Sequence, residues 1–146
     1  MLDRFEKFSL AISEINRYWH KLAAEELAPY GLKAAHATYL TAMYRHREGI
    51  TVPELCEECG KDKSDASRML AILEEKGLVT RSVSDRDARR RLITLTEKGA
   101  KLEEQLHRAF HETEEMMMEG LSGEERELLF SCLERVIQNL EEDRGL

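Results

Sequence analysis

Apolar residues recur at helical spacing along most of the chain and switch once to strand spacing. Phe5, Phe8, Ile12, Ile15, Trp19 and Leu22 repeat at intervals of three and four. They form one seam of coiled-coil type and predict a helix over 3–28. Pro29-Tyr30-Gly31 ends it. A second helix, about 33–47, sets Ala35, Tyr39, Leu40 and Met43 on one side. Thr51 and Glu54 have capping-box spacing and open a short helix, with Pro53 tolerated in its first turn. Leu55, Cys56 and Cys59 are its inward positions, and Gly60 stops it. Asp62 caps the next helix, about 63–76, with Ala66, Met69, Leu70 and Leu73 as its buried stripe and Gly77 at its end.

The period then falls to two. Residues 78–83 and 91–94 read as short strands joined by a polar loop, Ser84 to Arg90, which makes a β-hairpin with a long tip. Thr96 caps a long helix to about Gly120, with Leu102, Leu106, Ala109, Phe110, Thr113 and Met117 on one face. Ser122 and Glu125 form another capping box. They open a last helix carrying Leu128, Leu129, Cys132, Leu133, Val136, Ile137 and Leu140. The chain is therefore mainly α with one small β-hairpin, in the order helix, helix, helix-turn-helix, hairpin, helix, helix.

Charge changes the picture. The chain of 146 residues has a formal net charge of -7, which argues against a nucleic-acid partner. Its distribution argues the other way. Residues 61–98 hold ten Lys/Arg against seven Asp/Glu, whereas 99–146 hold five against thirteen. Screening cuts off distant charges within roughly 10 Å, so a phosphate would respond to the local basic segment. The helix over 63–76 turns Lys63, Ser64, Ser67, Arg68 and Ala71 outward. Short and cationic side chains let a helix enter a major groove, where Arg68 can fork onto guanine or phosphate. The bland alternative is a solvated face. The hairpin tip tilts the balance, with Arg86, Arg89, Arg90 and Arg91 within six residues. A narrow minor groove concentrates negative potential and attracts an inserted Arg. Asp87 is expected to orient this wing by pairing with Arg89 or Arg90.

Here the chain resembles the MarR family of bacterial transcriptional regulators. The matching stretches are Glu54-Leu55, Lys63 to Leu70, Leu73 to Val79, Asp87-Ala-Arg-Arg90 and Leu95-Thr-Glu-Lys-Gly99. Lys61 stands where the family usually has an apolar residue, and Asp65 where a small or hydroxyl residue is usual. The resemblance implies a winged helix-turn-helix lobe over 31–98, flanked by dimerisation helices over 1–30 and 99–146. It also implies a homodimer on double-stranded DNA with a pseudo-palindromic operator, usually as a repressor. The expected DNA-binding residues are Lys63, Ser64, Ser67, Arg68, Arg86, Arg89 and Arg90, with Asp87 as the wing-orienting one. A small aromatic effector would lie between the dimer helices and the DNA-binding lobe, on segments carrying Trp19, His20, His36 and Tyr39.

An alternative is a metal- or thiol-sensing regulator using Cys56 and Cys59, or His107 and His111, the latter four residues apart on one helix face. Glu103, Glu104, His36 or His20 would have to complete a metal site. The three cysteines read instead as buried structural thiols, and no metal or cofactor is expected. A protein-binding helical module without DNA is a third reading. An enzyme finds no support, because no phosphate loop or nucleophile motif is present. The N-terminal stretch is charged from Asp3 and has no signal-peptide core, so a cytoplasmic location is expected.

Overall fold

The computed structural model describes residues 1–144. Helix α1 (Arg4–Leu27) leads through a 3-10 turn (Ala28–Tyr30) to α2 (His36–Arg45), α3 (Val52–Cys59) and α4 (Lys63–Glu75). Strands β1 (Val79–Val83) and β2 (Arg91–Leu95) follow, then α5 (Glu97–Met117) and α6 (Gly123–Arg144). The chain divides into two compact units, residues 1–110 and 111–146.

The caps fall where local chemistry demands them. The Asp3 carboxylate accepts the Glu6 N–H at 2.8 Å, and Glu6 reaches back to the Asp3 N–H at 2.9 Å, so α1 opens on a capping box. Thr51 and Glu54 do the same for α3, as Ser122 and Glu125 do for α6. Gly60 takes φ 64 beyond α3, a left-handed position that only glycine adopts at no cost. Asp62 then caps α4 by accepting the Asp65 N–H at 2.8 Å.

One core fills the first unit. Leu27, Tyr39, Leu40, Met43, Leu55, Ala66, Leu70 and Leu73 are wholly buried, joined by Leu78, Ile93, Leu102 and Leu106. The C-terminal turns of α1 and the first half of α5 thus share a core with the helix-turn-helix. The hairpin pairs Val79 with Leu95 and Val83 with Arg91, leaving Ser84–Arg90 as its tip. Ile50 adds a third edge by exchanging hydrogen bonds with Ile93 at 3.1 and 2.8 Å. The α5 start is pressed onto the hairpin. A Cβ on Gly99 would lie 2.0 Å from the Leu78 carbonyl oxygen, so the glycine of Leu95-Thr-Glu-Lys-Gly99 is a packing requirement. Thr96 closes the same joint, accepting the Gly99 N–H at 3.1 Å and donating to the Gly77 carbonyl at 2.7 Å.

Several expectations are corrected. Helix α2 begins at His36, because Lys33 to Ala35 form a turn. The His36 ring accepts the Lys33 N–H at 2.9 Å from inside the core. Helix α5 stops at Met117, and Gly120 sits in the following turn with φ 85. The apolar seam of α1 is covered only toward its end. Phe5, Phe8, Ile12 and Ile15 are exposed, whereas Trp19 is half-buried, its ring edge-on to Phe110 at 5.4 Å. In the second unit, Leu128, Phe130, Val136, Ile137 and Leu140 are likewise exposed. Cys132 is exposed too, not a buried structural thiol, since its stripe has no cover in the single chain. Cys56 and Cys59 are half-buried at the core's edge. No described helix is long and apolar enough to cross a membrane.

Candidate functional site

Helix α4 is held by Ala66, Leu70 and Leu73, all at 0% exposure. That fixes its opposite face. Lys63, Ser64, Ser67, Arg68 and Ala71 are all exposed along it. Asp65 faces sideways, where the Tyr39 hydroxyl donates to its carboxylate at 2.6 Å. Arg68 approaches the same carboxylate at 3.5 Å. The Tyr39 bond leads in holding the Asp65 carboxyl below the usual carboxylate range, with the Lys61 and Arg68 charges adding to it. The acid at this unusual position is therefore tied to the core and to Arg68. The Tyr39 phenol is pushed well above its ordinary value, first by burial and then by Asp65.

The wing tip has no buried side chain and is shaped by polar contacts. The Ser84 N–H donates to the Arg90 carbonyl at 2.9 Å, and the Arg90 N–H to the Asp87 carbonyl at 3.0 Å. The Arg86 N–H donates to the Ser84 hydroxyl at 3.2 Å. Asp87 Oδ1 accepts the Arg89 N–H at 2.9 Å. Asp87 thus acts on the loop's backbone, as an Asx turn does. The expected ion pair between Asp87 and an arginine side chain is not formed. The Arg90 guanidinium instead meets Glu54 Oε1 at 2.6 Å.

These elements bring Lys63, Arg89 and Arg90 to one cleft of about 590 Å³, floored by Val52, Pro53 and Cys56. Arg81 and Arg91 line it as well. Neither is among the expected contact residues: alternation puts both on the face of the hairpin that carries the buried Val79, Ile93 and Leu95, with Arg81 opposite Ile93, so their exposure at the open end of that face is not legible in the strand pattern. Arg81 is paired with Glu74 at 2.8 Å. Arg86 lies apart, in a neighbouring concavity with Glu48 and Asp85. Ser64, Ser67 and Arg68 line none of these hollows and stand on the open face of α4. A cationic cleft beside a small-residue helix face can take a polyanion's backbone in the first and its base edges on the second.

The sensing residues separate. Trp19 and His20 line a cavity of about 340 Å³ with Ala34, Thr38, Thr41 and Phe110. His36 and Tyr39, expected beside them, are buried in the core at 1% and 0% exposure and do not line it. Burial pushes the His36 imidazole below its ordinary pKa, and its Nε2 has no partner. A second cavity of about 450 Å³ is lined by Tyr44, Glu103, Glu104, His107 and Arg108. Glu103 is 2% exposed and its Oε2 is unpartnered; burial raises its carboxyl above the usual range. His111 pairs with Glu115 at 3.3 Å. Among the described residues, no three His, Cys, Asp or Glu side chains converge as a metal site would require. Burial pushes the Cys59 thiol up, and it donates to the Thr38 carbonyl at 3.8 Å, which opposes thiolate chemistry there.

A model of the MarR family matches residues 30–90. The likeness to solved structures runs over nearly the whole chain. A complex of S. aureus MepR with DNA is 26% identical, covers 94% of this chain and 99% of its own, and superposes with a TM-score of 0.80. A MarR transcriptional regulator from Methanosarcina mazei Go1 is 28% identical, covering 92% and 96%, with a TM-score of 0.79. The reduced form of MarR from E. coli is 27% identical, covering 93% and 97%, with a TM-score of 0.73.

Proposed function

We propose, from its likeness to the MarR family of transcriptional regulators, that this chain is a regulator of that family: a ligand-responsive repressor that binds a pseudo-palindromic operator as a homodimer. That family consists of regulators, not enzymes. The observation that carries the DNA-binding part is the meeting of Lys63, Arg89 and Arg90 in one cleft beside the exposed face of α4, in a chain that is acidic elsewhere. The relative named in a DNA complex, S. aureus MepR, has the same fold over almost its full length. In this reading Ser64, Ser67 and Arg68 face base edges in the major groove. Arg89 enters the minor groove, while Lys63 and Arg86 meet phosphates.

The exposed apolar residues support a dimer. Phe5, Phe8, Ile12 and Ile15 on α1, and Leu128, Phe130, Ile137 and Leu140 on α6, leave more apolar surface uncovered than a monomer keeps. A second copy would cover them. Two-fold symmetry then sets the half-sites about 34 Å apart, one helical turn. The cavity lined by Trp19, His20 and Phe110 is of a size for a small aromatic effector. Filling it would change the spacing of the two α4 helices and so loosen the operator.

A gel shift on the DNA upstream of the protein's own gene tests this. Binding should weaken with salt, with a log–log slope of about -0.9 per neutralised phosphate. Arg89→Ala should weaken binding about tenfold to all sequences alike, because loss of a groove cation costs on the order of 1–2 kcal/mol. Absence of salt-sensitive binding to any duplex would overturn the reading.

A further inference from the structure

Glu54 carries two jobs with one carboxylate. Its Oε2 accepts the Thr51 N–H at 3.0 Å and closes the first turn of α3. Its Oε1 takes the Arg90 guanidinium at 2.6 Å, across 36 residues of chain. Arg90 is also the residue that closes the wing tip. Its carbonyl accepts the Ser84 N–H and its own N–H donates to Asp87. Arg91, the next residue, begins β2. The side chain of Arg90 therefore joins the end of the tip loop to the start of the helix-turn-helix. The tip buries no side chain against the body of the lobe, so little besides this pair fixes its angle.

We propose that Glu54 is a positioning residue for DNA recognition: through Arg90 it latches the wing to α3, so that Arg89 and the α4 face meet one duplex together. Arg90 then serves as the latch's other half and not as a phosphate contact. The inference rests on the DNA-binding reading above. It makes a prediction of opposite sign to simple electrostatics. An acid beside a DNA site repels phosphate, so its neutralisation should tighten binding. If Glu54 is a latch, its neutralisation loosens binding.

Glu54→Gln is the informative variant, because glutamine still serves a capping box while losing the charge that holds Arg90. A labelled duplex titrated with the full-length protein across a salt series should show affinity about two- to fivefold weaker, the range expected of a half-exposed ion pair. The salt slope should stay as in the wild type, and the melting temperature should fall by no more than the small contribution of a half-exposed ion pair. Arg90→Ala should give the same loss at an unchanged slope, and the double variant should be no weaker than Arg90→Ala alone. In the DNA-free protein, hydrogen exchange at the Ser84 and Arg90 amides should speed up in Glu54→Gln. Tighter binding by Glu54→Gln would overturn the latch, as would additive losses in the double variant. So would a slope reduced by about 0.9 in Arg90→Ala, which would put Arg90 on a phosphate. If the wild type binds no duplex, the regulatory reading fails by itself, and the exchange rates still decide whether Glu54 holds the tip.

Discussion

Helix α4 and the wing tip present similar side chains to solvent, but they are anchored by different forces. Helix α4 buries Ala66, Leu70 and Leu73 completely. Each buried leucine contributes about 1.5–3 kcal/mol, and the helix is capped by Asp62. The tip, Ser84 to Arg90, buries none of its side chains. Four hydrogen bonds and one half-exposed ion pair shape it. Such a pair is worth about 0.2–1 kcal/mol. The helix face should thus keep its geometry across salt and pH, while the aim of the wing should depend on both. A reader of DNA built this way takes its register from apolar burial and its adjustable affinity from polar contacts.

The largest way to break that comparison is Leu70→Ala. It should cost about 2–5 kcal/mol of unfolding free energy in denaturant titration, because it empties a fully buried site. DNA binding should fall only in proportion to the unfolded fraction. A loss below about 1 kcal/mol would show that α4 is not anchored by burial. Asp87→Ala should do the converse. Without the side-chain bond to the Arg89 N–H, the tip loses its Asx turn. Operator affinity should drop about fivefold, as one hydrogen bond is worth on the order of 1 kcal/mol, with little change in melting temperature because the tip buries no side chain. Tighter binding instead would mean that Asp87 only repels phosphate.

The smallest effect is a pH dependence that sharpens the contrast. The Tyr39 hydroxyl leads in holding the Asp65 carboxyl below its usual range. A depressed folded pKa stabilises the protein above the unfolded carboxylate value, and the stabilisation is lost as pH falls through the folded value. Tyr39→Phe should therefore be less stable than wild type near neutrality, and the difference should shrink on acidification. Urea unfolding through the acid range reads this directly; a gap independent of pH would assign it to packing alone. Glu54 and Glu58, also held low, contribute to the same acid limb in both proteins.

The order of helices and hairpin was legible in the sequence because it is written in short-range terms. Caps such as Thr51 with Glu54 and Ser122 with Glu125 span three residues, and apolar periodicity needs only two or three turns. The cationic tip and the outward residues of α4 followed from the same local reading. Other features depend on how distant segments approach, and no local pattern encodes that. Tyr39 and Asp65 are 26 positions apart, and Glu54 and Arg90 are 36 apart. The Ile50–Ile93 bridge is of the same kind. His36 and Trp19 looked alike as cleft candidates, yet the core claimed one and left the other at a cavity wall. Sequence alone determined which faces are apolar and which residues carry charge at the wing, since these are properties of composition and period. Only the tertiary structure decided which of those charges are free and which are spent on a partner, since that requires two backbones to come within a hydrogen bond's reach.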